Sequence, residues 1–434
     1  MRKFAFVFLC CLLAMTSCGG PSVSESAPGE SSLPSPAAVE ESSEEVSAVS
    51  TPYQPPERLW EETVDLSPLA EGGFVLLPEE DIRRMGSVLA VWEDRLYSYL
   101  KEDGKAWAQC LELDTGLVTQ LGQVPFSAAY GSPVPADGWV YRCVGAGGER
   151  QFGEKQGYTL SLLGVQPETG DFRALSITDS ASSPLARLRE GPDGNLLVLS
   201  PQWVERDGNF TVVPQILQVD PETGEVTLLM ERGDYYAGED QRYLNDFCWD
   251  RETGLLYLLL QQQEGETITR VMEIWEDGAQ IATLPFTSEM NLVAENIVGD
   301  FRVQGDLIFL AGDRGGILLR REGEELIPLP GLSCIRGMRN PPCSTDSGWL
   351  LMLEDRLLWL DTGTLEARWL DYGSRVGLED APLGELSVMG DRVLVMFSVG
   401  GQLDCRYYLD TLEGVLSSPE AEPGEVYEAY EIAE

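Results

Sequence analysis

From about Glu57 onward, apolar and polar positions alternate along the chain in short blocks. Seven apolar runs stand out: "LYSYL", "WVYRC", "NLLVLS", "LLYLLL", "LIFLA", "WLLML" and "VLVMF". Almost no window carries the 3.6-residue period of an amphipathic helix. Short runs rich in Leu, Val, Ile and Tyr between Gly and Asp turns predict strands throughout. A turn precedes each run: "WEDR" ending at Arg95, "PADG" at Gly138, "GPDG" at Gly194, "DRETG" at Gly254, "QGD" at Asp306, "TDSG" at Gly348 and "MGDR" at Arg392. One strand later comes a second turn. These are "LDTG" at Leu113 to Gly116, "QPETG" at Gln166 to Gly170, "DPETG" at Asp220 to Gly224, "WEDG" at Trp275 to Gly278, "REGE" at Arg321 to Glu324, "LDTG" at Leu360 to Gly363 and "LDTLEG" at Leu409 to Gly414.

The unit therefore reads strand, Asp/Gly turn, apolar strand, variable loop, strand, Asp-Thr-Gly turn, strand, with a period of roughly 40 to 60 residues. Four antiparallel strands repeated seven times predict an all-β, seven-bladed β-propeller. A single blade cannot bury both faces, but radial stacking lets each sheet cover the next. Ring closure also removes exposed sheet edges, and the closing strand is expected from the N-terminal end, either "RLWEETVDL" or "FVLLP". In "QVDPETGEVTLLM" the carboxylates are read as turn chemistry: Pro221 presets φ, Gly224 takes positive φ, and Asp220 or Thr223 bonds nearby amides.

These Asp-x-x-Thr-Gly turns resemble those of quinoprotein-like and YVTN-type propellers, and "GPDGNLLVLS" resembles the blade opening of NHL and lactonase-type propellers. The resemblance runs from about Ser87 to Pro419 and rests on turn residues, so it implies the fold and no particular chemistry. "STDSGW" at Ser344 to Trp349 resembles a degenerate sialidase Asp-box, but its register is that of a first-to-second-strand turn. Lactonase-type propellers hold a divalent metal at the central channel with Glu, Asn and Asp, for which Arg189 to Asn195 and Leu244 to Asp246 could supply oxygens. No cofactor is otherwise indicated, and calcium is left open.

The N-terminal stretch "MRKFAFVFLCCLLAMTSC" has two positive charges, an apolar run from Phe4 to Met15 and small residues before Cys18, the pattern of a secretory signal over residues 1–17. "MTSCGG" resembles a bacterial lipobox, which implies that Cys18 is lipidated. Residues 18–56 are Ser-, Pro-, Glu- and Ala-rich and predict a disordered tether, leaving residues 57–434 as the propeller. A tether of this kind after "CGG" resembles those of Gram-positive surface lipoproteins, so the chain is expected on the extracellular face of the cell membrane, held there by its lipid anchor.

Charge and residue usage narrow the chemistry. With 72 acidic and 30 basic side chains, the formal charge is −42, the wrong sign for nucleic acid. There is no histidine, which removes Ser-His-Asp and Cys-His catalysis and His-ligated zinc. No adjacent cysteine pair follows the signal, as a quinoprotein dehydrogenase would need. Cys334 and Cys343 flank one inter-blade loop, a possible extracellular disulfide. The other cysteines of the propeller fall in predicted strands as small buried residues. The long loops carry Trp203, Tyr235, Tyr236, Tyr243 and Tyr372 with Arg206, Arg242, Arg336, Arg339 and Arg375. Aromatics with arginine are what binding hot spots favour. The expected function is therefore a binding or interaction module for a glycan, anionic ligand or protein on the long-loop face. The alternative is a metal-dependent lactonase-like or carbohydrate-active hydrolase using channel carboxylates.

Overall fold

The chain divides into two units, Met1–Val46 and Ser47–Glu434. The computed structural model describes, in the second unit, the backbone of strands at 61–63, 67–69 and 74–77, and then residues 87–424 apart from 103, 114, 116, 130, 233–239, 265–266, 288–289, 291–300, 312–314, 330–331, 333–334, 336–341, 346, 379–380 and 399–404. Cys18 and the segment read as a tether lie outside these residues.

The described residues are almost entirely antiparallel sheet. Three sheets have four strands each, running through 240–285, 301–328 and 343–370. A nine-stranded sheet spans 128–231; it consists of two meanders, joined through the single pair Ala181 and Gln202. The first sheet, 87–125, gains an outer strand from Glu61–Thr63, which pairs with Leu117–Pro125. In the last sheet, the strands Leu383–Met389, Arg392–Ser398 and Cys405–Thr411 are completed by Phe74–Leu77, with Val75 opposite Leu409. The closing strand thus comes from "FVLLP", as expected, while the other candidate segment edges the first sheet. Because its partner arrives from the N-terminus, the seventh second-turn, "LDTLEG", leads no hairpin; it becomes the helix Leu412–Leu416, capped by Thr411.

Apolar residues appear on both faces of the second strands because the two faces feed different cores. In Leu196–Arg206, Leu196 and Val198 pack toward the preceding meander while Leu197 and Leu199 pack toward the next sheet. Tyr257 and Leu259 alternate with Leu258 and Leu260 in the same way. Seven buried clusters follow one another between successive sheets, and one of them joins Val88, Leu96 and Val118 of the first sheet to Leu394 and Leu409 of the last. Such two-sided burial is why these strands read as continuous apolar runs.

The turns behave as their residues predict. Asp220 accepts from the amides of Glu222 (2.8 Å) and Thr223 (3.2 Å), Thr223 donates its hydroxyl to the same carboxylate at 2.8 Å, and Gly224 has φ of 77°. Asp137-Gly138 and Asp277-Gly278 both take positive φ, the tight hairpin geometry for which Asp-Gly is suited. The variable loops after the second and third apolar runs, "VGAGGERQFGEKQGY" and "SPQWVERDGNF", are instead long hairpins built from Trp139–Phe152 with Lys155–Gln166 and Leu196–Arg206 with Asn209–Val219.

Candidate functional site: an arginine-lined central channel

The innermost strand of each sheet, together with the turn after it, lines a single cavity of about 1890 Å³. The turns bring carboxylates to it: Asp137, Asp193, Asp220, Asp250 and Asp391. The lining carries both signs: Glu190 and Glu385 lie on its strands, and Arg251 and Arg392 lie at its turns. Arg142 from Trp139–Phe152, Arg189 from Arg187–Glu190 and Arg302 from Phe301–Gln304 all face this space. The Arg142 guanidinium lies over the Tyr99 ring at 5.0 Å, with its Nε buried and without a hydrogen-bond partner. Arg189 is 5% exposed.

Beside the channel, Asp246 ties three sheets together. It is fully buried, accepts from the amides of Phe247 (2.8 Å) and Phe301 (3.2 Å), is bonded by Arg187, and lies 3.6 Å from the Arg189 guanidinium. Its oxygens are therefore committed to guanidinium and amide donors rather than offered to a metal ion. Among the described residues no group of three or more Cys, Asp or Glu side chains is placed to hold a metal ion.

Two channel carboxyls are perturbed by their surroundings. Burial raises the pKa of Glu385, against the opposing pull of Arg142. Burial likewise raises Glu190, opposed by Arg251 at 3.6 Å. Cys343 also lines the channel. Its thiol is free, lies 3.6 Å from the Leu386 carbonyl, and is pushed up to about 11 by desolvation. The expected bridge to Cys334 is thus not made by Cys343, and Cys334 itself lies outside the described residues. Cys110, Cys143 and Cys248 are buried free thiols, in keeping with their reading as small core residues.

The long-loop residues fare differently from one another. Tyr235, Tyr236, Arg336 and Arg339, and the side chains of Arg242 and Tyr243, lie outside the described residues. Trp203 stacks on Phe152 at 6.0 Å between the two long hairpins, and Arg206 pairs with Glu231 at 2.7 Å on the surface. Tyr372 is a correction. The short helix Tyr372–Arg375, capped by Asp371, turns it wholly into the core, where its ring stacks on Phe397 and its hydroxyl lies 3.3 Å from Asp410. Arg375 goes with it, bonding Asp410 through Nε at 3.0 Å. These two residues hold the fold and offer no rim. Arg142, Arg302 and Glu385 carry no turn or loop signal; only their place on or beside an innermost strand brings them to the channel.

No protein-family profile and no curated protein sequence matches the chain. Solved structures similar to it include the β-propeller domain of the Trilobed protease from Pyrococcus furiosus (12% identity, 66% of this chain and 82% of that one, TM-score 0.41). The polysaccharide lyase Uly1 is similar at 9% identity over 74% and 88% of the two chains, TM-score 0.46. The dihydro-heme d1 dehydrogenase NirN is similar at 12% identity over 79% and 77%, TM-score 0.40. The antiparallel four-stranded sheets and the clusters between them are those of a β-propeller, and the differing names attached to these similar structures assign this chain no chemistry.

Proposed function

We propose that this chain is a lipid-anchored, extracellular, seven-bladed β-propeller that acts as a binding module, with its ligand seated in the central channel. In this reading residues 1–17 direct export, Cys18 carries the lipid, residues 18–56 form the tether and residues 57–434 the ring. Seven interface clusters in succession support the blade number. The observation that carries the binding reading is the cavity itself: about 1890 Å³, lined by charged side chains from several sheets on rigid strands. Concave sites with a few convergent polar groups on a fixed scaffold are where ligands bind.

Ser344 is exposed, small and on the channel wall, so Ser344→Trp narrows the channel on that side without replacing a core residue. A thermal-shift screen of glycans, cell-wall fragments and divalent metals on the full chain tests the reading. A compound that raises the wild-type melting temperature should raise that of Ser344→Trp less; an equal rise in both would place the ligand away from this part of the channel. Cys18→Ala should move the protein from the membrane fraction to the medium, and continued membrane association would remove the anchor.

A further inference from the structure

Two of the acids at the channel turns are spent on backbone and side chains close by. Asp220 holds the amides of Glu222 and Thr223 and the Thr223 hydroxyl, while Asp250 holds the Thr253 hydroxyl and, at 3.2 Å, the Gly305 amide. Asp137 and Asp193 differ. Both are exposed on the channel lining, and among the described residues neither carboxylate accepts a hydrogen bond or makes a close ion pair. Both sit at positive φ, 48° and 55°, in tight turns that fix their backbone. The two turns are neighbours, since a Cβ on Gly194 would lie 4.0 Å from that of Asp137. Two residues beyond Asp137, Trp139 lines the same channel. The Arg173 guanidinium lies over its ring at 3.8 Å and bonds the Tyr141 hydroxyl, and the Trp139 and Tyr141 rings stack at 6.3 Å. The indole is thus a held platform beside two free carboxylates.

We infer that Trp139, Asp137 and Asp193 form a sugar-binding subsite at the turn end of the channel, which takes one ring of a neutral saccharide. The inference rests on the channel being the binding site and names the class of ligand held there. A pyranose presents C–H groups on its face and hydroxyls at its edge. The face stacks on an indole, and the hydroxyls donate to ionised carboxylates in charge-assisted bonds. The same residues disfavour charged ligands. A cation is drawn to the face of a tryptophan ring, but Arg173 already lies over this one, and a second cation would be repelled across it. An anion would meet the unpaired carboxylates of Asp137 and Asp193, in a chain of formal charge −42. A neutral sugar meets neither penalty.

The test is titration of the full chain with maltotriose, cellotriose and triacetylchitotriose, read by calorimetry and tryptophan fluorescence. At least one of these neutral trisaccharides should bind and change the indole emission. Trp139→Ala should weaken that binding by about tenfold or more, and Trp139→Phe, which keeps a ring in place, should recover part of it while losing the emission change. Trp139 also packs on a core cluster, so Asp137→Asn combined with Asp193→Asn gives a second reading at two exposed positions, where affinity should fall severalfold in a protein that still folds. Trp107→Phe, at an indole beside Lys105 and away from the channel lining, should change nothing. Absence of binding by all three sugars, or equal binding in Trp139→Ala and in the double Asp variant, would overturn the inference. Tighter binding of deacetylated chitotriose or of trigalacturonate would overturn it too, by making the ligand a charged one. A ligand from the screen weakened in Ser344→Trp but retained by Trp139→Ala would keep the channel and remove the subsite, while one unaffected by either variant would remove both.

Discussion

Asp246→Ala is the most informative single change to the scaffold. In the native protein this buried carboxylate receives Arg187 and Arg189 from one strand, the Phe247 amide from its own, and the Phe301 amide from the next sheet. Removing it leaves two guanidiniums with little solvent, at 15% and 5% side-chain exposure, and two buried amides short of an acceptor. Breaking a buried ion pair by deleting one member typically costs about 3–5 kcal/mol. An entropy of unfolding near 2.1 cal/mol/K per residue makes each kcal/mol worth roughly 1–2 °C in a ring of this size, so a fall of about 5 °C is expected. Arg187→Met should cost less, because Arg189 and the amides still hold the carboxylate. The decisive measurement is a double-mutant cycle by urea unfolding, with coupling between Asp246→Ala and Arg187→Met of about 1 kcal/mol or more. Additivity within about 0.5 kcal/mol, or a single-mutant cost under about 1 kcal/mol, would refute the three-sheet clasp.

Two further outcomes are expected. Burial raises the Glu385 pKa, so the folded state favours the protonated carboxyl; its stability contribution is present below the ordinary carboxylate range and is lost as pH rises through the higher folded value. Glu385→Gln should therefore raise the melting temperature once the pH is above the raised folded value and flatten its decline as pH rises out of the ordinary carboxylate range; an unchanged profile would contradict the burial. A chain beginning at residue 80 lacks Phe74–Leu77 and leaves the Cys405–Thr411 strand without its outer partner. It should self-associate or precipitate on size-exclusion chromatography, and a well-folded monomer would argue against the closure.

The scaffold was readable because turn chemistry is local. Asp220, Thr223 and Gly224 satisfy one another within five residues, and the same solution recurs at Asp250, Thr253 and Gly254. The long hairpins were less so. Gly145, Gly147 and Pro201 discourage a strand reading, yet Gly145 packs where a Cβ would collide with the Pro184 carbonyl, and Pro201 pairs with Pro214. The channel was barely legible. Arg142 and Arg302 sit in apolar strands whose alternate positions feed cores, and only the distant partner sheets decide which positions face the axis. Tyr372 misled for the converse reason: in a polar loop it reads as a rim aromatic, while a single helical turn carries it inward.

The pairing of Val75 with Leu409 sets a timing problem. The other strand pairings join segments near one another in the chain, but these two partners are more than three hundred residues apart. At synthesis rates of 5–20 residues per second, the Phe74–Leu77 segment waits roughly 15–70 s for its partner to be made. Loop closure over such a length is itself slow relative to hairpin formation. The acidic run Glu79, Glu80 and Asp81 follows directly behind that apolar strand, where flanking charge keeps an unpaired strand from recruiting the wrong neighbour. The pairing that closes the ring therefore cannot form before the Cys405–Thr411 strand has been made.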